Sequence, residues 1–503
     1  MKARWELSSD KDKFSRCMCV FTNTVYSTFQ RIMRVRRLLW WYRCLHWLHF
    51  RLPLAYIAKV LTLSSIFTLV AMACWSSNDT MSLIMTDLPI RKVSCATIKP
   101  DIPKIQGFNT LAKHRISEPK TINRMVGTDH FMVSAYKDHR FKDKIRVIAI
   151  VRHLEIEDLF CHLCDKAFES CQATPATVEV NPEILGFAHA MADILCDSSS
   201  LGSSAAVRIA NSTIIEDSAV YFPIKNLIKQ PLRYNFTVCL SQIFNNNNNA
   251  LQFVQTMEMY KIFGIQRVVI YNISSGAEVD KVMKHYVEEG TLEVIDWNIH
   301  DFMTPSEGWQ PEVHPGDIMY HGQIVSLNDC LNRYMYHSKY ILFHDFDEIV
   351  VPYKHNTLDK LMAREESMRK HDTIGLSRFE RCLFQERLKV NGIFQKLFFE
   401  KWQRVPGLNI LEHMSGRWEK NPKYMVDPRQ IISVKVHDIV KSRWNKVVTI
   451  NFETDVAHIH HIKRTFENME GAAKETAIDT RLWDFNAMLI PNVNKVLEES
   501  DVL

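Results

Sequence analysis

From Asn235 onward the chain alternates between two hydrophobic rhythms, and that alternation limits its fold more than any other feature. Phe236-Thr237-Val238-Cys239-Leu240 is a short apolar run of the kind a buried strand carries. Ala250–Phe263 has helical spacing, with Phe253, Met257, Tyr260 and Ile262 available for a buried face. Arg267-Val268-Val269-Ile270-Tyr271 reads as the next strand, and Ala277–Glu289 as a helix stopped by Gly290. Residues 292–297 form a third strand, 323–337 a helix, 358–370 another helix, and 373–379 a further strand. A strand–helix–strand series of this length predicts an α/β domain of Rossmann-like type, with a mainly parallel sheet covered on both faces.

One strand of the series ends in acid. Tyr340-Ile341-Leu342-Phe343-His344 leads into Asp345-Phe346-Asp347-Glu348, after which Ile349-Val350-Val351 resumes the apolar run. In open α/β sheets ligands collect beyond the carboxyl ends of the strands. On an extended backbone Asp345 and Asp347 point the same way, and two carboxylates that close repel unless a cation or proton lies between them. A hard divalent cation shared with a diphosphate satisfies that demand. The plainer reading is a solvated acidic turn.

Charge divides the chain unevenly. Residues 1–59 hold 12 Lys/Arg against 3 Asp/Glu, while the remaining 444 residues hold 50 against 54. The excess positive charge therefore belongs to the N-terminal segment and is not the basic face of a nucleic-acid-binding domain. Residues 60–78 contain no charge, and 52–75 would run roughly 36 Å as a helix, enough to span a bilayer. Arg31, Arg34, Arg36, Arg37, Arg43 and Arg51, mixed with Trp40, Trp41, Tyr42 and Trp47, precede it. Basic residues stay cytosolic, so the sequence predicts a single-pass type II signal-anchor: a cytoplasmic tail (1–51), a transmembrane helix (52–75) and a lumenal remainder. A tail of about fifty residues is too long for a cleaved signal peptide. Met33 offers a second possible start.

The lumenal part divides into a stem (76–140), a small β-rich domain (141–230), the α/β domain (231–480) and a C-terminal tail (481–503). Short strands around Val147, Val178 and Val207 mark the β-rich domain. The sequons at Asn78, Asn211, Asn235 and Asn272 and the cysteines Cys95, Cys161, Cys164, Cys171, Cys196, Cys239, Cys330 and Cys382 all lie beyond the anchor. In an oxidising compartment these thiols predict disulfides, first of all within the 161–196 cluster. Cys161-x-x-Cys164 alone would also suit zinc or redox chemistry. The tract from Asn245 to Asn249 predicts an exposed loop.

The ordered series Val238-Cys239-Leu240-Ser241, Tyr271-Asn272-Ile273-Ser274-Ser275, Val294-Ile295-Asp296-Trp297, Gly322-Gln323, Asn328-Asp329-Cys330-Leu331 and Asp345-Phe346-Asp347-Glu348 resembles glycosyltransferase family 92 over roughly residues 230–470. The resemblance implies a GT-A fold, a nucleotide-sugar donor such as UDP-galactose, Mn²⁺, an inverting mechanism and a glycan acceptor in the Golgi. It assigns Asp345 and Asp347 to the metal–diphosphate site and places Gln323, Asn328 and Asp329 near the donor. It also assigns His461 to the metal, with His437, His458 and His460 as weaker candidates. Ile462 and Lys463 stand where the family has Tyr and Arg. Inversion needs a carboxylate to take the acceptor's proton; Glu380, just past the strand 373–379, is the candidate.

Two other readings remain open at this point. Phosphatases of the haloacid dehalogenase type also end a strand in D-x-D, yet a further carboxylate such as Glu348 would repel a phosphoryl group. A membrane-tethered glycan-binding protein, or a relative without transferase activity, would share the fold without the chemistry.

Overall fold

The computed structural model describes residues 120–215, 220–369, 372–385, 402–463 and 476–502. The basic tail, the span 52–75, Met33, Cys95 and the sequon at Asn78 lie outside the described residues. Among those described, no helix is long and apolar enough to cross a membrane.

The first eight strands are β1 (Asn123–Arg124), β2 (Phe131–Lys137), β3 (Lys144–Arg152), β4 (Phe160–Cys164), β5 (Cys171–Val180), β6 (His189–Asp197), β7 (Ala206–Ala210) and β8 (Phe222–Lys225). They run in the order β1-β2-β3-β6-β5-β4-β7-β8, and β8 returns to pair with β2, so the sheet closes into a barrel. Side chains alternate across a strand. In β3 the set Ile145, Val147, Ala149 and Val151 fills the barrel, while Ile148 and Ile150 face the α/β domain. Burial on both faces explains the apolar run 147–151. It also explains why β2, every residue of which but Lys137 is buried, shows no alternation and lies within the stretch read as stem. Disulfides Cys161–Cys196 and Cys164–Cys171 tie β4 to β6 and to its neighbour β5, so the two cysteines of the C-x-x-C do not pair with each other.

The second domain contains β9 (Tyr234–Ile243), α1 (Ala250–Phe263), β10 (Arg267–Asn272), α2 (Ala277–Glu289), β11 (Leu292–Asp296), α3 (Gln323–Tyr334), β12 (Ser338–His344), β13 (Glu348–Pro352) and α4 (Leu358–Met368). There follow β14 (Ile374–Gln385), β15 (Glu412–Val426), β16 (Ile431–Val434), β17 (Ile439–Ser442), β18 (Val448–Asn451), β19 (Ala457–Lys463), β20 (Thr476–Ile478) and α5 (Asn486–Glu499). The large sheet runs β11-β10-β9-β12-β15-β14-β19-β13. Its first four strands are mutually parallel, as expected. The other half is mixed, with β15 antiparallel to both β12 and β14 and β19 antiparallel to β13. The expectation of a mainly parallel sheet therefore holds for half of it.

Gly264 and Gly290 close α1 and α2 in the left-handed conformation, where a Cβ would be strained. The asparagine tract is an ordered corner. Asn249 accepts from the Gln252 amide at the start of α1, and Asn248 accepts from the Glu278 amide at the start of α2, which has no side-chain cap of its own. Helix α5 buries Leu489, Val493, Val496 and Leu497 in the core it shares with α1, so residues 486–499 belong to the domain. On the opposite face of the sheet, α3 sits between strands and barrel, joined to β9 by the Cys239–Cys330 disulfide.

Candidate active site

The apolar run 340–352 is two strands with a turn between them. The Glu348 amide donates to the Asp345 carbonyl at 3.2 Å, and the Asp345 amide donates back to the Glu348 carboxylate at 2.9 Å. The acids thus occupy a tight turn and not an extended segment, which corrects the reading that alternation alone aligns Asp345 with Asp347. Phe346 packs its ring on Phe253 of α1 and anchors the turn.

Each carboxylate has a distinct partner set. Asp345 accepts from Gln323 at 2.8 Å and from the Lys423 ammonium at 2.7 Å. Glu348, whose side chain has no exposure, meets Lys423 at 3.2 Å and the Arg381 guanidinium at 2.9 Å. Burial pushes the Asp345 carboxyl up, but Lys423 more than offsets it and holds the group well below the usual carboxylate range. Asp347 keeps a side chain 42% exposed and lies 3.4 Å from His461 Nε2. The antiparallel register of β13 on β19 sets Glu348 opposite His461, and the Ile462 amide donates to the Asp347 carbonyl at 2.8 Å. His461 Nδ1 is 2.5 Å from the Glu419 carboxylate. Burial draws the His461 pKa down, while Asp347 and Glu419 raise it further, to about 9.

An imidazole whose far nitrogen binds a carboxylate while the near one faces an acid has the form of a metal-ligating histidine. Ligand atoms about 2.1 Å from one ion lie roughly 3–3.5 Å apart, so the Asp347–His461 spacing fits a shared cation. Asp347 and His461 therefore lie side by side, while Asp345, two positions earlier in the turn, gives its carboxylate to Gln323 and Lys423.

Other expected residues lie elsewhere. Asn328 uses both polar ends of its amide on the Val434 backbone, Ser433 and the Ile324 carbonyl. Asp329 is buried against Ser134, Tyr136, Tyr271 and Arg333. Neither has an oxygen or nitrogen left for a donor: both hold α3 to its surroundings. Glu380 lies inside β14 rather than past its strand, and its exposed position alternates with buried Phe379 and Arg381. Glu380 itself sits where the register of β14 against β15 shifts, between Phe379 and Arg381. His437, beside the Pro422 carbonyl, is kept neutral by burial and by Lys423 and Arg381, which lower its pKa to about 4. His458 and His460 face away from His461. Asn211 and Asn235 are exposed, whereas Asn272 is partly buried with its amide nitrogen on Ser275.

Three contributors were not anticipated: Lys423, Arg381 and Glu419. None lies near the acidic motif in sequence. A fourth feature adjoins Gln323. Tyr320 and His321 both have positive φ (44° and 53°), which is costly for residues with a Cβ, and His321 is 5% exposed with neither ring nitrogen hydrogen-bonded.

Residues 234–492 match the sequence model of glycosyltransferase family 92. The chain belongs to glycosyltransferase family 92. The family 92 chain is 30% identical over 123 residues to the Beta-1,4-galactosyltransferase galt-1 of Caenorhabditis elegans, covering 24% of this chain and 26% of that one. It is 25% identical over 226 residues to the Galactan beta-1,4-galactosyltransferase GALS3 of Arabidopsis thaliana, covering 44% and 40%. It thus spans between about a quarter and two-fifths of the length of these curated relatives. Among solved structures, glucosyl-3-phosphoglycerate synthase from Mycobacterium tuberculosis in complex with Mn²⁺, uridine-diphosphate and glucosyl-3-phosphoglycerate matches at 12% identity over 54% of this chain and 81% of that one, with a TM-score of 0.21.

Proposed function

We propose that this family 92 chain is an inverting, metal-dependent galactosyltransferase of GT-A type that moves galactose from UDP-galactose to a glycan acceptor in the Golgi lumen, anchored by residues 52–75. The observation that carries the reading is the Asp347–His461 pair, braced by Glu419 and set two positions after Asp345. The galactosyltransferase names of the curated relatives support the choice of sugar. The three disulfides and the exposed Asn211 and Asn235 support a secretory location.

Asp345, Asp347 and His461 would hold Mn²⁺. When bound, the ion supplies positive charge against that which builds on the departing diphosphate. The chain's own residues prepare the site. Glu419 fixes the His461 ring, Gln323 orients Asp345, and Lys423 with Arg381 neutralises Glu348, so the turn can hold three acids without unfolding. The reading leaves the base that takes the acceptor's proton unassigned.

The test is to incubate the detergent-purified full chain with a panel of sugar nucleotides, with and without Mn²⁺, and to measure free nucleotide. UDP released from UDP-galactose only when the metal is present is the expected result. A second reading rests on Lys423, whose ammonium already contacts Asp345: release that is unchanged by chelator would favour a site that uses this cation in place of a metal. A protein that binds glycan but consumes no donor would be the membrane-tethered glycan-binding relative.

A further inference from the structure

Strand β19 has a second set of histidines. Side chains two apart share a face, so His458 and His460 point away from the acidic turn that His461 faces. On that far side they meet Asp479, just past β20, and Tyr353, just past β13. The Tyr353 hydroxyl lies 3.0 Å from His458 Nε2 and 2.7 Å from His460 Nε2, and it also bonds the Asp479 carboxylate. One ligand-capable atom from each of His458, His460 and Asp479 lies within 4.8 Å of the others. His458 and His460 are 6% and 2% exposed.

The protons in this cluster do not suffice for its lone pairs. His458 Nδ1 is 2.7 Å from the Thr454 carbonyl, which can only accept, so the ring proton is on Nδ1 and Nε2 is a bare lone pair. Tyr353 has one hydroxyl hydrogen. The Asp479 carboxylate and His458 Nε2 both compete for it, with His460 Nε2 at the same oxygen. A neutral imidazole that donates its other N–H to a backbone carbonyl, beside a second imidazole and a carboxylate, is a pattern metal sites use.

We propose that His458, His460 and Asp479 form a second metal site, with Tyr353 as fourth ligand, that binds a zinc-class divalent ion separate from the catalytic cation. Two imidazoles favour zinc-class ions over the hard, oxygen-seeking ones. The ion would fasten the end of β13, β19 and the segment after β20 to one point. It would thereby fix the strand that carries His461 on its other face. None of the four ligands belongs to the acidic turn, so the inference stands or falls apart from the transferase reading.

The full chain, purified in detergent without a metal-affinity tag and stripped with chelator, would be titrated with Zn²⁺ against a chromophoric competitor and, separately, with Co²⁺. The expected result is about one tight equivalent of Zn²⁺ and the intense visible bands of four-coordinate Co²⁺. Both should persist in the double variant Asp345→Asn/Asp347→Asn, and Zn²⁺ affinity should fall at least about 100-fold in Asp479→Asn. The Co²⁺ spectrum of the unaltered chain keeps the test independent of whether a variant folds. Absence of tight Zn²⁺ and of the bands, or binding lost in the Asp345→Asn/Asp347→Asn variant and kept in Asp479→Asn, would overturn the proposal.

Discussion

Lys423 shows how much of the site depends on one cation. Its side chain is 2% exposed and touches Asp345 and Glu348, and Glu348 has no exposure at all. Removing one partner from a buried ion pair leaves an uncompensated charge, which costs about 3–5 kcal/mol. Lys423→Met is therefore expected to lower unfolding free energy by about that amount, read from urea denaturation. Asp347 is different, being half-exposed and facing His461, whose charge Glu419 also holds. Asp347→Asn should leave the urea midpoint close to that of the unaltered chain while donor-dependent nucleotide release drops by about 10²–10³, the usual cost of losing one transition-state charge contact. Glu419→Gln, which touches the metal-side histidine and not the metal, should weaken Mn²⁺ binding by about 10–100-fold in a calorimetric titration. These contacts also mark where sequence reading stops. Asp345 and Asp347 announce themselves because acid interrupts an apolar strand. Lys423 and Glu419 reach the turn from β15 with no local pattern to set them apart from surface charges.

Among elements, what the sequence made legible was whatever its periodicity reports directly. α1, α2 and the parallel strands β9 to β12 carry their rhythm, and Gly290 takes the backbone conformation expected of a stop residue. Strand β2 and the antiparallel half of the sheet were harder. β2 is buried on both faces, and β15 carries register shifts against β14 that disturb any period of two. Helix α3 was placed correctly, yet its polar residues were misjudged, because Asn328 and Asp329 serve packing where the family pattern suggested donor contact. Disulfides within the 161–196 cluster were legible, but not their connectivity or the third bridge. Cys239–Cys330 closes a separation of 91 residues, pinning α3 to β9 directly behind the acidic turn. Replacing both cysteines with alanine should cost about 2–5 kcal/mol, checked as a lower thermal midpoint without reducing agent and a smaller further fall on reduction than in the unaltered chain, since only Cys161–Cys196 and Cys164–Cys171 are left to open.

For the molecule as a whole, Asp329 is a buried carboxylate on which barrel and α/β domain converge. Its carboxylate accepts from Ser134 and Tyr136 of β2 on one side, and from Tyr271 of β10 and Arg333 of its own helix on the other. Burial alone would push its pKa up, but Arg333 and Lys225, with the hydroxyl donors, pull it well below the usual carboxylate range. A carboxyl whose folded pKa is depressed adds stability above its unfolded pKa of about 3.9 and loses it as pH falls from there toward the folded value. Unfolding free energy should therefore decline below about pH 4 with a slope to which Asp329 contributes up to one proton. In Asp329→Asn that contribution is absent, and Arg333 keeps only Glu293 as a carboxylate partner. The variant should lose about 3–5 kcal/mol at neutral pH and show a correspondingly shallower acid limb in urea titrations from pH 3 to 7. Because the seam also buries Ile148 and Ile150 against α3, the barrel should unfold in the same transition as the α/β domain in the unaltered chain. Two separate transitions there, or an acid limb identical in variant and unaltered chain, would contradict the role given to Asp329.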